Sequence, residues 1–160
     1  MRSPARALLP ILCVLLPVLA SAPRASEDEW GDARKAFRRA QKSEELALRR
    51  DAYLDLLNFD SEDAAEEALT AMVKEKKRPD ASPAVLLSGI TTLATFLSES
   101  AQEVVSKAVR KGRGDKQLFA LLALADRPAG GGEELLLEVL RSKEAPLVAQ
   151  AALALGRRKA

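Results

Sequence analysis

The sequence predicts an all-α chain, a stack of about four antiparallel helix hairpins, and three observations predict it. Apolar residues recur at spacings of three and four rather than in alternation, so nothing reads as a strand. Eight such stretches are joined by turns of a few residues, which makes chain neighbours antiparallel. A ten-residue string then returns in every second helix, the mark of a repeat. Of the 160 residues 48% are hydrophobic and 30% charged, enough apolar side chain for a core and against wholesale disorder.

Residues 1–22, MRSPARALLPILCVLLPVLASA, read as a secretory signal peptide. Arg2 and Arg6 make a positive start, residues 7–19 are uncharged and apolar, and Ala20-Ser21-Ala22 has the small-x-small form of a cleavage site. A membrane anchor is the competing reading. Pro10 and Pro17 interrupt the run, and its length is at the bottom of the spanning range. Cys13 leaves with the peptide. Removal takes two arginines and no acid, so 23 basic residues then face 23 acidic ones. A neutral chain directed out of the cytoplasm is a poor nucleic-acid binder, and its size suits one domain, residues 23–160. Localisation is expected to be extracytoplasmic, periplasmic or secreted, with no stable membrane span after cleavage.

Each helix has its own punctuation. Ser26-Glu27-Asp28-Glu29 forms a capping box, followed by the stripe Trp30, Ala33, Phe37 and Ala40, to about Gln41. Ser43 can cap the second helix, whose stripe is Leu46, Leu48, Ala52, Tyr53, Leu56 and Leu57. Residues 58–61 break the pattern. Ala64, Ala65, Ala68, Leu69, Met72 and Val73 mark the third helix, which ends in a polar run over residues 74–80. Ser82-Pro83 opens the fourth, because Pro at the first helical position lacks only an N–H that has no partner there. This helix runs through Val85, Leu86, Gly89, Ile90, Leu93 and Ala94 to Leu97. Ser100-Ala101-Gln102-Glu103 reads as a second capping box for the fifth helix, which Gly112-Arg113-Gly114 ends. Asp115 caps the sixth, with Leu118, Phe119, Leu121, Leu122 and Leu124. After Arg127-Pro128-Ala129 and three glycines come two more helices, over residues 133–142 and 146–158.

The repeated strings are LRRDAYLDLL at 48–57, VLLSGITTLA at 85–94, KQLFALLALA at 116–125 and LVAQAALALG at 147–156. Their fifth residue is always small (Ala52, Gly89, Ala120, Ala151) and their ninth always Leu (Leu56, Leu93, Leu124, Leu155). Their starts are spaced by 37, 31 and 31 residues. The intervening helices keep step, since Val104, Val105, Ala108 and Val109 advance by 31 onto Leu135, Leu136, Val139 and Leu140. A lone hairpin of about 30 residues cannot hide its apolar face, so each unit buries it against the next. The units run over about 26–58, 61–98, 100–126 and 132–158.

At these strings the chain resembles the HEAT-repeat superfamily, in its short bacterial form. Residues 147–156, with Val, paired Ala, Leu and a terminal Gly, look like the second helix of a HEAT unit, and the resemblance covers about residues 43–160. The Arg usual after the opening aliphatic residue occurs only as Arg49, and the preceding Asp only as Asp115. The resemblance implies a right-handed, armadillo-like α-solenoid and a non-catalytic scaffold for a protein or peptide partner. Its binding face would use exposed residues of the second helices, here Arg49, Arg50, Thr91, Gln117 and Gln150. The alternative is an accessory or subunit related to HEAT-like lyases, acting on a bound small molecule. A third reading takes the chain as part of a longer array, since no atypical capping repeat follows Leu155.

Enzyme chemistry finds little support. With no His and one Cys, the usual general base, the nucleophile–His pairs and a Cys-based zinc site are missing, so no catalytic residue, cofactor or metal is expected. The acidic cluster Asp60, Glu62, Asp63, Glu66 and Glu67 has Ala65 and Ala71 where a calcium loop needs Gly and a carboxylate, and reads as a solvated helix start. The basic groups Arg34/Lys35/Arg38/Arg39/Lys42, Lys74/Lys76/Lys77/Arg78 and Lys107/Arg110/Lys111/Arg113 read as solvated faces, with an anionic partner the rival account. Gly130-Gly131-Gly132 lacks the Lys-Ser/Thr of a phosphate loop, and Arg113-Gly114-Asp115 is too short a motif to carry adhesion.

Overall fold

A computed structural model describes residues 26–127 and 131–159. The leader expected over 1–22 lies outside them. The described residues form eight α-helices and no strand: α1 (Glu27–Ala40), α2 (Leu46–Asp55), α3 (Glu62–Lys76), α4 (Pro83–Thr95), α5 (Glu99–Lys111), α6 (Asp115–Ala125), α7 (Glu133–Val139) and α8 (Ala145–Lys159). A single 3-10 turn, Leu56–Asn58, ends α2.

The caps show why the helices start where they do. At α1 the expected capping box forms, Glu29 N–H donating to Ser26 Oγ and Ser26 N–H to the Glu29 carboxylate. Pro83 occupies the first turn of α4. Three start signals shift. Ser98, not Ser100, caps α5, because its hydroxyl accepts from Ala101 N–H while Asp60 accepts the amides of Leu97 and Ser98. At α6 the cap position belongs to Gly114, whose φ of 55° suits glycine, and Asp115 becomes the first helical residue. Ser43 stands outside α2, taking Glu45 N–H on its hydroxyl.

The helices pack as hairpins in series. Each pair α1/α2, α3/α4, α5/α6 and α7/α8 is in contact, α2, α4, α6 and α8 follow one another in one layer, and α3, α5 and α7 in a second. Cross-links between successive helices of a layer keep a parallel register. Ser88 and Thr92 of α4 donate to the carbonyls of Arg50 and Tyr53 on α2, and Arg34 and Arg38 of α1 reach Glu67 on α3. This arrangement is consistent with a helical solenoid.

The core lies between the layers. The small fifth residues Ala52, Gly89, Ala120 and Ala151 are all buried, and so are Leu56, Leu93 and Leu124, while Leu155 is half-buried. The 31-residue correspondence holds in burial: Val104, Val105, Leu135, Leu136 and Val139 are buried, with Leu140 half-buried. Gly89 marks the tightest approach. A β-carbon there would stand 2.7 Å from Met72 Cγ and Sδ and 2.9 Å from Tyr53 Cε1.

In α2 the buried stripe is Arg49, Ala52, Tyr53 and Leu56, so Leu46, Leu48 and Leu57, expected in the core, point outward at 43%, 49% and 42% exposure. A buried arginine occupies the position in the helical period that the leucines were expected to fill. Helix ends also move inward, α4 stopping at Thr95 and α7 at Val139. Among the described residues no helix is long and apolar enough to cross a membrane.

Candidate functional site

The five expected binding residues do not form one surface. Arg49 is corrected outright: it is 1% exposed and faces inward. Its guanidinium donates to Asp80 Oδ2 at 2.8 Å, to Glu75 Oε1 at 3.4 Å and to the Ser43 carbonyl at 2.9 Å. Glu75 in turn accepts the Ser82 amide at 2.9 Å. Arg49 thus joins the start of α2 to the end of α3 and the turn into α4. Its carboxylate partners are Glu75 at the end of α3 and Asp80 in the turn that follows.

The other four are scattered. Arg50 is exposed and pairs with Asp51, Thr91 is exposed on α4, and Gln117 is half-buried with its amide donating to the Val109 carbonyl. Gln150 lines a cleft. That cleft, of about 310 Å³, runs over α4, α6 and α8. Its apolar lining is Leu87, Ile90, Leu122, Ala125, Leu153 and Ala154, with Asp126, Gln150 and Arg157 as polar neighbours. Leu87 and Leu153 are 60% and 49% exposed. The sequence carried a signal for them: Leu87 and Leu153 fall at the third and seventh positions of their strings, off the core stripe.

A second cavity, of about 480 Å³, opens between α1 and α3. Phe37 and Ala71 form its apolar part, and Arg38, Lys42, Lys74 and Arg78 stand around it with Glu67 and Glu75. Both carboxylates are nearly buried. Glu67 accepts from Arg38 Nε at 2.7 Å and Arg34 Nε at 2.9 Å. Burial pushes the Glu67 carboxyl up, but the hydrogen bonds and charges of Arg38 and Arg34 outweigh it and hold the group below the usual glutamate range. Asp80, hydrogen-bonded first by Arg78 and then by Arg49, is held down at about 2. Beneath this charged wall Tyr53 is fully buried, its ring edge-on to Phe37 at 5.2 Å, and its hydroxyl has no hydrogen-bond partner.

The acidic cluster, expected as a solvated helix start, divides. Glu62 and Asp63 remain exposed in the first turn of α3, whereas Asp60 accepts the amides of Leu97 and Ser98 ahead of α5, Glu66 pairs with Lys116, and Glu67 is buried under two arginines. The basic groups that ended α1 and α3 meet at the second cavity, a juxtaposition that spacing along the chain does not reveal.

Comparison with protein-family models, with curated proteins and with solved structures finds no match to this chain. The functional reading therefore rests on the geometry just described and on the repeat.

Proposed function

We propose that the chain is an exported, non-catalytic helical-repeat protein, a right-handed HEAT-like α-solenoid that holds a protein or peptide partner along its α4–α6–α8 face. Export rests on the composition of residues 1–22, and the HEAT-like reading on the strings at 31-residue spacing. The observation that carries the binding reading is the apolar cleft crossing three successive hairpins, floored by Leu87, Ile90, Leu122 and Leu153 and edged by Gln150 and Arg157. Exposed Leu87 and Leu153, with half-buried Ile90 and Leu122 between them, form a hydrophobic centre with a polar rim, the anatomy of a recognition surface. Apolar side chains of an extended or helical partner segment seat between these leucines, and the polar rim fixes its register.

The test is affinity capture from the exported fraction with the chain lacking residues 1–22, in native form and as Leu87→Asp and Leu153→Asp. Both positions are exposed, so the variants keep their fold by circular dichroism. One reproducible protein partner, lost with either substitution, supports the reading. A co-purifying metabolite in place of a protein favours the small-molecule alternative related to HEAT-like lyases.

A further inference from the structure

Both α1 and α3 end in basic residues, as helices commonly do, since cations complement the partial negative charge of the C-terminus. Because the two helices lie side by side in parallel register, these ends point the same way. Arg34 and Arg38 pair with Glu67, and further along Arg78 donates to the carbonyls of Gln41 and Ser43. Two cationic turns therefore share one cavity instead of facing solvent separately.

The charges there do not cancel. Glu67 is shared by Arg34 and Arg38, Glu75 by Arg49 and Arg78, and Asp80 by Arg49 and Arg78. Lys42 and Lys74 line the same cavity, and among the described residues neither meets a carboxylate. Between them lie Phe37, 3% exposed, and Ala71, 7% exposed, forming an apolar floor. A cavity of about 480 Å³ is of the size that takes a small metabolite.

We propose that the α1–α3 cavity binds a small organic anion, a carboxylate or phosphate ester on an apolar body, with Lys42 and Lys74 holding the charged end over the floor made by Phe37 and Ala71. The arginines are committed to the buried carboxylates and shape the walls, while the two flexible lysines supply the charge that a ligand meets. An apolar body resting on Phe37 separates this site from a surface that merely attracts counterions. The site lies between helices of the opposite layer from the α4–α6–α8 face and stands independently of the partner reading.

Phenyl phosphate and benzoate serve as probes, with benzyl alcohol as the uncharged control, read by calorimetric titration and by chemical-shift changes. Lys42 and Lys74 are exposed, so a Lys42→Gln/Lys74→Gln variant keeps the native urea midpoint. Saturable binding of an anionic probe is expected, weakened by about tenfold or more in the double variant and falling as salt rises. Binding should be unchanged in Leu153→Asp. Failure of both anions to saturate, equal affinity in the double variant, or benzyl alcohol binding as tightly as the anions would overturn the proposal.

Discussion

At the scale of single residues, an arginine and a glutamate buried between helices help to tie the first two hairpins together. Arg49 and Glu75 are 1% and 2% exposed, so removing either takes from the other its buried partner of opposite charge. Arg49→Met should lose about 3–5 kcal/mol, because it breaks a buried pair and leaves Glu75 only the longer contact to Arg78. Adding Glu75→Gln should restore part of that loss in urea unfolding, and a single variant as stable as the native chain would contradict the assignment. Tyr53 offers the converse test. Its hydroxyl is buried without a hydrogen-bond partner, and burial, with the nearby Glu75 charge, pushes its ionisation well above the usual tyrosine range. Tyr53→Phe therefore removes a group that costs about 1–3 kcal/mol to bury unpaired. The urea midpoint should stay level or rise, and a clear fall would reveal a partner for the hydroxyl. The acid limb follows from Asp80. Its folded value of about 2 lies below its ordinary 3.8, so the stability it contributes is present above the ordinary value and is lost as pH falls through about 2. Glu67, also held low, adds loss in the same direction. Urea midpoints followed from about pH 5 to about 2 should fall, and Asp80→Asn should flatten that fall.

At the scale of elements, the close approach of helices at the small fifth positions decides the packing. Gly89→Val would drive methyl groups into Met72 and the Tyr53 ring, and Ala120→Leu or Ala151→Leu would force apart helices that leave those alanines 0% exposed. Each should cost about 1–3 kcal/mol through overpacking. In thermal melts an unchanged midpoint for all three would reject this face as the inter-helix contact. The element pattern was legible because caps and a 3.6-residue period are local signals. All eight helices, the buried alanine and glycine positions, and the 31-residue step are written in short stretches of sequence. What escaped was long-range. Ser98 outcompetes Ser100 as a cap because Asp60, some forty residues away, fixes the turn before α5. Arg49 sits in an apolar stripe because Glu75 and Asp80 arrive from the next hairpin. The α1–α3 cavity needs two helix ends brought together by the fold. Of the expected binding residues Gln150 lines the α4–α6–α8 cleft and Arg49 is buried, since exposure on a repeated helix depends on which side the neighbouring layer covers.

At the scale of the whole molecule, contacts run from each hairpin to the next, so local stability should be graded rather than uniform. α4 to α6 each pack against helices on both sides along the stack and α3 packs against all three of them, whereas α7, of seven residues, is short and comes late in it. Native-state hydrogen exchange should show the slowest amides in α3 to α6 and faster exchange in α7. Equal protection along all eight helices would instead indicate one cooperative unit. The turn at Asp60 sets a further rule for how such a chain can change over generations. Asp60 receives the amides of Leu97 and Ser98 and the Ser98 hydroxyl, so one side chain ahead of α3 measures off the distance to α5. Insertions and deletions near residue 60 would break that spacing and should be purged. Between α7 and α8 the turn is held by its own neighbours, Ser142 accepting the Glu144 amide, and length variants should accumulate there at little cost.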